Sequence, residues 1–287
     1  MFYKVTWRNL IRSATFWLVL IVLGISVAYK SVISCQYEVY SQVYKEIIFD
    51  TDPRYILDYD TYLKVVLNNL NTILNPYLGI FAVATTAIVL TRDYKDHFFE
   101  IEKASNMSAS KYLVSRVITL IAVIFSVLVL FHNTSVHAYV FSRGGVSNTE
   151  LAHYFIDSSI RIFRSDLIFG LPYVVFYVCF TYSLGSIFKN GVYAAITGFS
   201  YALACMIFGM FFMSRYSKAI EFFQDYLKPS PMKVFWFLYD FDTEDFENTI
   251  AHFKTSSGTV AFCIIILAGI SMLYSLISYF RIRKRTV

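Results

Sequence analysis

The sequence predicts an all-α integral membrane protein with six transmembrane helices. Of its 287 residues 57% are hydrophobic, 19% are aromatic and only 16% are charged, and the mean hydropathy is +0.53. Soluble domains have roughly 45–50% apolar and about 25% charged residues. Stretches of about 20 mainly apolar residues, the length that crosses a hydrocarbon core of about 30 Å, recur six times along the chain.

The six predicted spans belong to one transmembrane domain that covers residues 1–287. They occupy residues 15–34, 72–90, 117–137, 167–187, 192–213 and 260–280. The first span is predicted to be a retained signal-anchor, because its apolar stretch continues toward Ile33 and no small-residue cleavage pattern follows. Three segments, 35–71, 138–166 and 214–259, then lie outside the cell, and helical spacing of their apolar residues predicts that they are helical.

The distribution of basic residues predicts that both termini are cytoplasmic. The four pieces assigned to the inside hold 13 of the 25 Lys and Arg residues in about 51 residues, but only 4 of the 20 acidic residues. This contrast satisfies the positive-inside rule, and the cluster from Arg281 to Arg285 is its clearest case. The net charge of +5 is held in short clusters beside the spans, which suit anionic membrane lipid and give no indication of nucleic-acid binding. We expect a multi-pass protein of a cell membrane, with a composition compatible with an AT-rich bacterial genome.

The N-terminal residues predict a short helix that lies in the membrane interface. At 100° per residue Trp7 falls on an apolar arc, and the basic side chains of Lys4, Arg8 and Arg12 fall on the adjacent arc. We expect an elbow helix that leads into the first span. A plain basic flank that only fixes topology is the alternative.

The outer segment between the fifth and sixth spans contains two further features. It is interrupted at Pro229-Ser-Pro231, which predicts two short helices around a turn. An acidic stretch then follows from Asp240 to Glu247. A calcium loop of the EF-hand type would need a Gly turn and a terminal Glu, which are absent, so a solvated acidic loop is favoured.

Motifs of enzymes and metal sites are missing from the sequence. There is no phosphate-binding GxxxxGK[ST] loop, no HExxH, no GxSxG and no CxxC pair. Ionisable residues are nearly absent from the predicted spans, which argues against a proton- or sodium-coupled carrier. We therefore predict no catalytic residue, no metal and no bound cofactor.

The residues from Thr91 to Arg116 form the one long segment on the predicted cytoplasmic side. A helix from Asp93 to about Ala104 would carry acidic side chains on one face and Tyr94, Phe98 and Ile101 on the other. Ser105-Asn106 ends it, and Ser108 or Ser110 can cap a second helix that continues into the third span.

This segment resembles the coupling region of type-2 ABC exporter permeases. The string DYKDHFFEIEKASNMSASKYLVSR has an acidic helix, a turn of small residues and a basic helix entry in the family's order. The chain carries Ser105-Asn106 where the family commonly has Gly-Thr. The six spans, the internal termini, the elbow helix and the Pro-broken segment before the sixth span are also similar to that family's plan.

The resemblance implies a permease subunit that pairs with a second permease, identical or not, and with two ABC ATPase subunits. ATP and Mg²⁺ would then be bound by the ATPase. The coupling helix would dock on that ATPase, and the resemblance assigns it these residues: Asp93, Tyr94, Asp96, Phe98, Phe99, Glu100, Ile101, Glu102 and Lys103. Docking competes with the alternative that this helix simply lies on lipid, which its acidic residues disfavour.

The apolar, aromatic-rich spans predict a hydrophobic or amphipathic substrate, because small polar solutes need converging polar groups. We expect ATP-driven export of an antimicrobial, lantibiotic or toxin peptide, or immunity against one. The alternative is a non-transport membrane protein, such as a sensor or an assembly scaffold, that binds a partner through its outer segments.

Overall fold

The computed structural model describes residues 2–42, 73, 77–95, 108–142, 159–160, 162–164, 166–212, 265 and 268–283. Within these ranges every regular element is a helix and no strand occurs. The all-α prediction is therefore confirmed for the described part of the chain. Most of the predicted outer segments and coupling residues 96–103 lie outside it.

Seven α-helices and one five-residue π-helical turn are the longer elements of this part of the chain; residues 77–78 are also π-helical, and residues 73, 159–160, 162–164 and 265 are α-helical. The longer elements are α1 (Phe2–Ile11), α2 (Ala14–Gln42), α3 (Gly79–Lys95), α4 (Ala109–Ser142), the π turn (Asp166–Gly170), α5 (Leu171–Phe188), α6 (Gly191–Phe212) and α7 (residues 268–283).

Local sequence explains where several helices begin and end. The Ser13 hydroxyl accepts a hydrogen bond from the Phe16 amide at 3.4 Å and caps α2 after the break that follows α1. The Ser108 hydroxyl accepts from the Lys111 amide at 3.3 Å, which confirms Ser108 as the predicted cap of α4. Lys189 ends α5 in a left-handed conformation with φ of 55°. Asn190 then caps α6, since its side-chain oxygen accepts from the Val192 amide at 2.8 Å.

Helices α3, α5 and α6 pack on one another at the centre of the molecule, and α4 packs against α5. Their shared core is apolar and includes Phe81, Leu90, Leu120, Val174 and Phe176, which are almost completely buried. An aromatic cluster joins α5 to its neighbours, with the rings of Phe180 and Tyr274 5.2 Å apart and those of Phe180 and Tyr201 4.9 Å apart. Helix α5 is thus the central support of the bundle.

Two helices are long and apolar enough to cross a membrane, judged by length and composition alone: Ser110–His137 and Leu171–Phe188. Shorter apolar helices run over Ala14–Tyr29 and Gly191–Ala204. Large apolar side chains are exposed along α2 and α4, for example Leu18 (62%), Ile25 (65%), Ile118 (59%) and Leu130 (63%). Faces of this kind suit contact with lipid or with another protein.

Candidate functional site

A buried ion pair joins the C-terminal end of α3 to the N-terminal part of α4. Arg116 Nη2 lies 2.9 Å from Asp93 Oδ1, and the two side chains are 0% and 1% exposed. Charges removed from water in this way must be paired and hydrogen-bonded, because an isolated one costs several kcal/mol. This pair joins the two helices between which residues 96–107, outside the described part of the chain, stand in the sequence.

Further polar groups complete the surroundings of the pair. The Tyr112 hydroxyl donates to Asp93 Oδ2 at 2.6 Å, so both carboxylate oxygens accept a hydrogen bond. Arg116 Nη1 donates to the hydroxyl of Thr6 on α1, and the guanidinium lies 5.4 Å from the centre of the Tyr112 ring. Charge-assisted hydrogen bonds and a cation–π contact thus hold Arg116 in one geometry.

Two side chain to backbone hydrogen bonds extend these contacts to other helices. Arg92 Nη1 donates to the carbonyl of Asn9 on α1 at 2.7 Å. The Tyr94 hydroxyl donates to the carbonyl of Gly185 on α5 at 2.8 Å. We call the whole set the basal network: Thr6, Asn9, Arg92, Asp93, Tyr94, Tyr112, Arg116 and Gly185. It joins α1, α3, α4 and α5 at one end of the bundle.

Of the nine predicted coupling residues, the structure describes two, Asp93 and Tyr94. Both side chains point into the molecule. Asp93 and Tyr94 belong to the last turn of α3 and take part in the basal network. Both side chains are therefore bonded to other helices of the bundle. The other seven predicted coupling residues lie outside the described part of the chain: Asp96, Phe98, Phe99, Glu100, Ile101, Glu102 and Lys103.

The predicted elbow residues belong to α1 and the turn after it. Arg8 and Arg12 are exposed, and Trp7 is half-exposed at 50%. Leu10 is completely buried, so α1 packs one apolar side chain inward while its basic face stays outside. The side chain of Lys4 is outside the described part, and the interfacial position of α1 stays a prediction.

Sequence reasoning missed the role of Arg116 and Thr6. The sequence predicts Arg116 only as part of the basic entry to the third span. An arginine next to an apolar stretch is a common topology signal, and nothing local distinguishes one that turns inward. The sequence offers one signal for this pair. Asp93 is an acid and Arg116 is a base, and they stand at the facing ends of two successive apolar helices.

A second buried pair lies toward the other end of α4. His132 Nδ1 and Asp166 Oδ1 are 2.7 Å apart, and both side chains are 0% exposed. The expectation that ionisable groups are nearly absent from the apolar helices does not hold for this pair. Asp166 stands one residue before the predicted fourth span, outside the stretches in which ionisable residues are counted.

The basal network fits a mechanical role. Its groups are a fixed ion pair, hydroxyls and backbone carbonyls, arranged to hold four helices together. In the described part of the chain no group of three or more His, Cys, Asp or Glu side chains could hold a metal ion. The contacts of the network join α1, α3, α4 and α5 to one another.

Comparisons with protein-family models, with curated proteins and with solved structures find no match to this chain.

Proposed function

We propose that this chain is the membrane-spanning permease subunit of an ATP-driven exporter, with six spans and an interfacial elbow helix at its N-terminus. The basal network carries the proposal. It provides a rigid base for residues 96–107, the segment that resembles the coupling region of type-2 ABC exporter permeases. An exporter whose ATPase is a separate subunit needs such a connection between a docking element and its helices.

The contacts of the basal network give the path of the motion. A push on residues 96–107 acts on both α3 and α4, because Asp93 and Arg116 hold the two flanks together. The same push reaches α1 through Thr6 and Asn9, and α5 through the bond from Tyr94 to Gly185. Closure of an ATPase pair would then move four helices as a unit, which is what alternating access requires.

The charges at this end of the bundle support a cytoplasmic orientation. Lys95, Lys111 and Lys189 are exposed there together with Arg8 and Arg12. The single described acidic side chain at this end, Asp93, is buried and neutralised by Arg116. An end with exposed basic groups and a hidden carboxylate agrees with the positive-inside rule and suits an anionic leaflet.

On this proposal the coupling helix docks into a groove of the ATPase. Phe98, Phe99 and Ile101 serve as apolar anchors. Asp96, Glu100 and Glu102 make polar contacts at the rim, since interfaces combine a few buried aromatic anchors with charged surroundings. ATP and Mg²⁺ are held by the ATPase, and a second permease subunit completes the transporter.

The docking prediction is tested by co-purification with an ATPase subunit. The ATPase to use is one that contains a phosphate-binding loop and whose gene lies beside the gene of this chain. We expect the wild-type permease to retain the ATPase and the double variant Phe98→Ala/Glu100→Ala to lose most of it, at least a tenfold drop in bound ATPase. A loss of about 2 kcal/mol from one aromatic anchor and its charged neighbour is enough for this.

The matched control is Phe163→Ala/Arg164→Ala, which removes one aromatic and one charged side chain that are exposed near the start of the π turn. It should bind the ATPase as the wild type does. Stoichiometric binding by Phe98→Ala/Glu100→Ala would contradict docking through this helix and would leave the helical fold untouched.

The proposed substrate is a hydrophobic or amphipathic molecule, most simply an antimicrobial or toxin peptide. The exposed apolar side chains of α2 and α4 provide a surface along which such a molecule can enter from the lipid. Capture from the bilayer needs little polar recognition inside the spans.

We expect cationic amphipathic peptides to stimulate ATP hydrolysis severalfold in the reconstituted permease–ATPase complex. The measurement is phosphate release in nanodiscs, with the ATPase alone as the control for direct effects of the peptide. A flat response across a panel of cationic, neutral and lipid-linked peptides would rule out this substrate class but would not affect the docking result.

A further inference from the structure

The corner between α1 and α2 carries exposed basic, aromatic and apolar side chains that take no part in the basal network. At 100° per residue the exposed side chains of α1 and of the turn after it lie within an arc of about 140°. The completely buried Thr6 and Leu10 lie on the other side of the helix. We call the exposed set, together with the first exposed aromatic residue of α2, the corner site: Trp7, Arg8, Ile11, Arg12 and Trp17.

Trp17 connects the exposed face of α1 to that of α2. Its Nε1 donates to the carbonyl of Ile11 at 2.6 Å, and this carbonyl is one of those at the end of α1 that have no partner inside the helix. The indole is therefore held against the end of α1 although it is 46% exposed. Beyond Trp17 the exposed face of α2 is apolar, and its large side chains are Leu18, Ile21, Val22, Ile25 and Tyr29. Basic, aromatic and apolar side chains thus succeed one another from α1 to α2.

Arg8 and Arg12 are like charges one helical turn apart. The Arg12 amide donates to the Arg8 carbonyl at 3.2 Å, so helical spacing extends to Arg12 and the two side chains are neighbours. Like charges at this spacing destabilise a helix. Within the described part of the chain neither side chain makes an ion pair or a hydrogen bond, in contrast to Arg92 and Arg116. A bound anion would supply the counter-charge that these two arginines lack among the described residues.

We propose that the corner site binds an anionic phospholipid, with the headgroup phosphate between Arg8 and Arg12 and an acyl chain along the exposed face of α2. Guanidinium groups bind phosphate through paired hydrogen bonds, and indole rings favour the level of the lipid headgroups. The apolar face of α2 distinguishes a lipid from a free phosphate ion, which needs no such surface. The inference rests on the interfacial position of α1 in the proposed function and not on ATP-driven export.

Lipid at the corner site also bears on the basal network, because both use α1. Thr6 and Asn9 stand within two residues of Arg8, and they attach α1 to Arg116 and Arg92. A ligand that binds α1 in this position stabilises the position by mass action. The content of anionic lipid in the membrane thus contributes to holding α1 on α3 and α4.

The experiment measures the quenching of tryptophan fluorescence by brominated phospholipids in nanodiscs. The sequence has three tryptophans, and Trp236→Phe in the full chain leaves only Trp7 and Trp17. Dibrominated phosphatidylglycerol and dibrominated phosphatidylcholine are compared at equal mole fraction in a background of unbrominated phosphatidylcholine. Because bromine quenches only at close contact, the two quenching curves give the preference of the corner site for the anionic lipid.

We expect a preference for phosphatidylglycerol of about thirtyfold, since each arginine beside an anionic headgroup contributes about a fivefold gain in affinity. Arg8→Gln/Arg12→Gln should be quenched equally by the two lipids. Arg8→Lys/Arg12→Lys should keep only part of the preference, because the charges stay while the paired hydrogen bonds are lost, and it serves if the glutamine variant does not fold. The matched control Lys95→Gln/Lys189→Gln removes two exposed charges from the same end of the bundle and should keep the full preference.

Several results would overturn the inference. They are equal quenching by the two lipids with both arginines present, a preference that persists in Arg8→Gln/Arg12→Gln, and a preference that millimolar inorganic phosphate abolishes at constant ionic strength, which would indicate a free-anion site. A loss of preference in Lys95→Gln/Lys189→Gln would also overturn it, by assigning the preference to the whole basic end. Absence of quenching by either lipid would contradict the interfacial position of α1 as well, whereas failure of ATPase docking would leave the quenching unchanged.

Discussion

Asp93→Ala is expected to lower the free energy of unfolding by about 3–5 kcal/mol, because it leaves the guanidinium of Arg116 buried without its counter-charge. Arg116 is completely buried, and its Nη2 has Asp93 as its carboxylate partner at 2.9 Å. The Tyr112 hydroxyl would lose its acceptor at the same time. We expect Arg116→Met to be damaging to a similar degree, since Asp93 would then be the uncompensated charge.

The double variant Asp93→Leu/Arg116→Met distinguishes the cost of an unpaired charge from the contribution of the pair. Apolar residues of similar volume often replace a buried ion pair with little loss of stability. We therefore expect the double variant to be more stable than either single variant, as measured by unfolding in mixed detergent micelles. Arg8→Ala, which removes an exposed arginine from α1, should change stability by no more than about 0.5 kcal/mol. Additive losses in the double variant would contradict this account of the pair.

The helical elements were accessible from the sequence because their signals are local. Composition indicates a membrane protein, and recurring apolar runs of about 20 residues predict that it is all-α. The gap between two of these runs predicts a short turn at Lys189, which lies between the described helices α5 and α6. Ser108 could be named, beside Ser110, as a candidate cap because it stands before an apolar run, and the structure selects Ser108. Each of these features is decided by neighbours within a few residues.

The contacts of the site were not accessible in the same way because they join distant residues. Asp93 and Arg116 are 23 residues apart, and Thr6 is 110 residues from Arg116. Helical projection placed Asp93 on the acidic face of a separate coupling helix, whereas it belongs to the last turn of α3 and points toward α4. His132 and Asp166 are 34 residues apart, and a π turn, which no residue pattern announces, brings them together. Pairing of this kind depends on helix rotation, which the sequence alone does not fix.

Gly191→Ala is expected to destabilise the bundle by about 1–3 kcal/mol through overpacking between α6 and α3. A Cβ atom at Gly191 would lie 2.6 Å from both the Ala87 carbonyl oxygen and the Thr91 amide nitrogen, and it would also meet the Thr91 hydroxyl. Because two of these atoms belong to the backbone of α3, no side-chain rotation relieves the contact and the helices must separate. Helix α3 ends in the basal network, so the displacement should also weaken retention of the ATPase.

Gly269→Ala provides the control for this prediction, since a Cβ atom there would have nothing within 4 Å. Helix α7 should tolerate the change or gain about 0.5–1 kcal/mol, because alanine loses less backbone freedom than glycine in a helix. The two variants differ by the same methyl group, so a difference in unfolding midpoint isolates the effect of the close approach. If the unfolding midpoints of Gly191→Ala and Gly269→Ala are equal, α3 and α6 do not approach each other closely at Gly191.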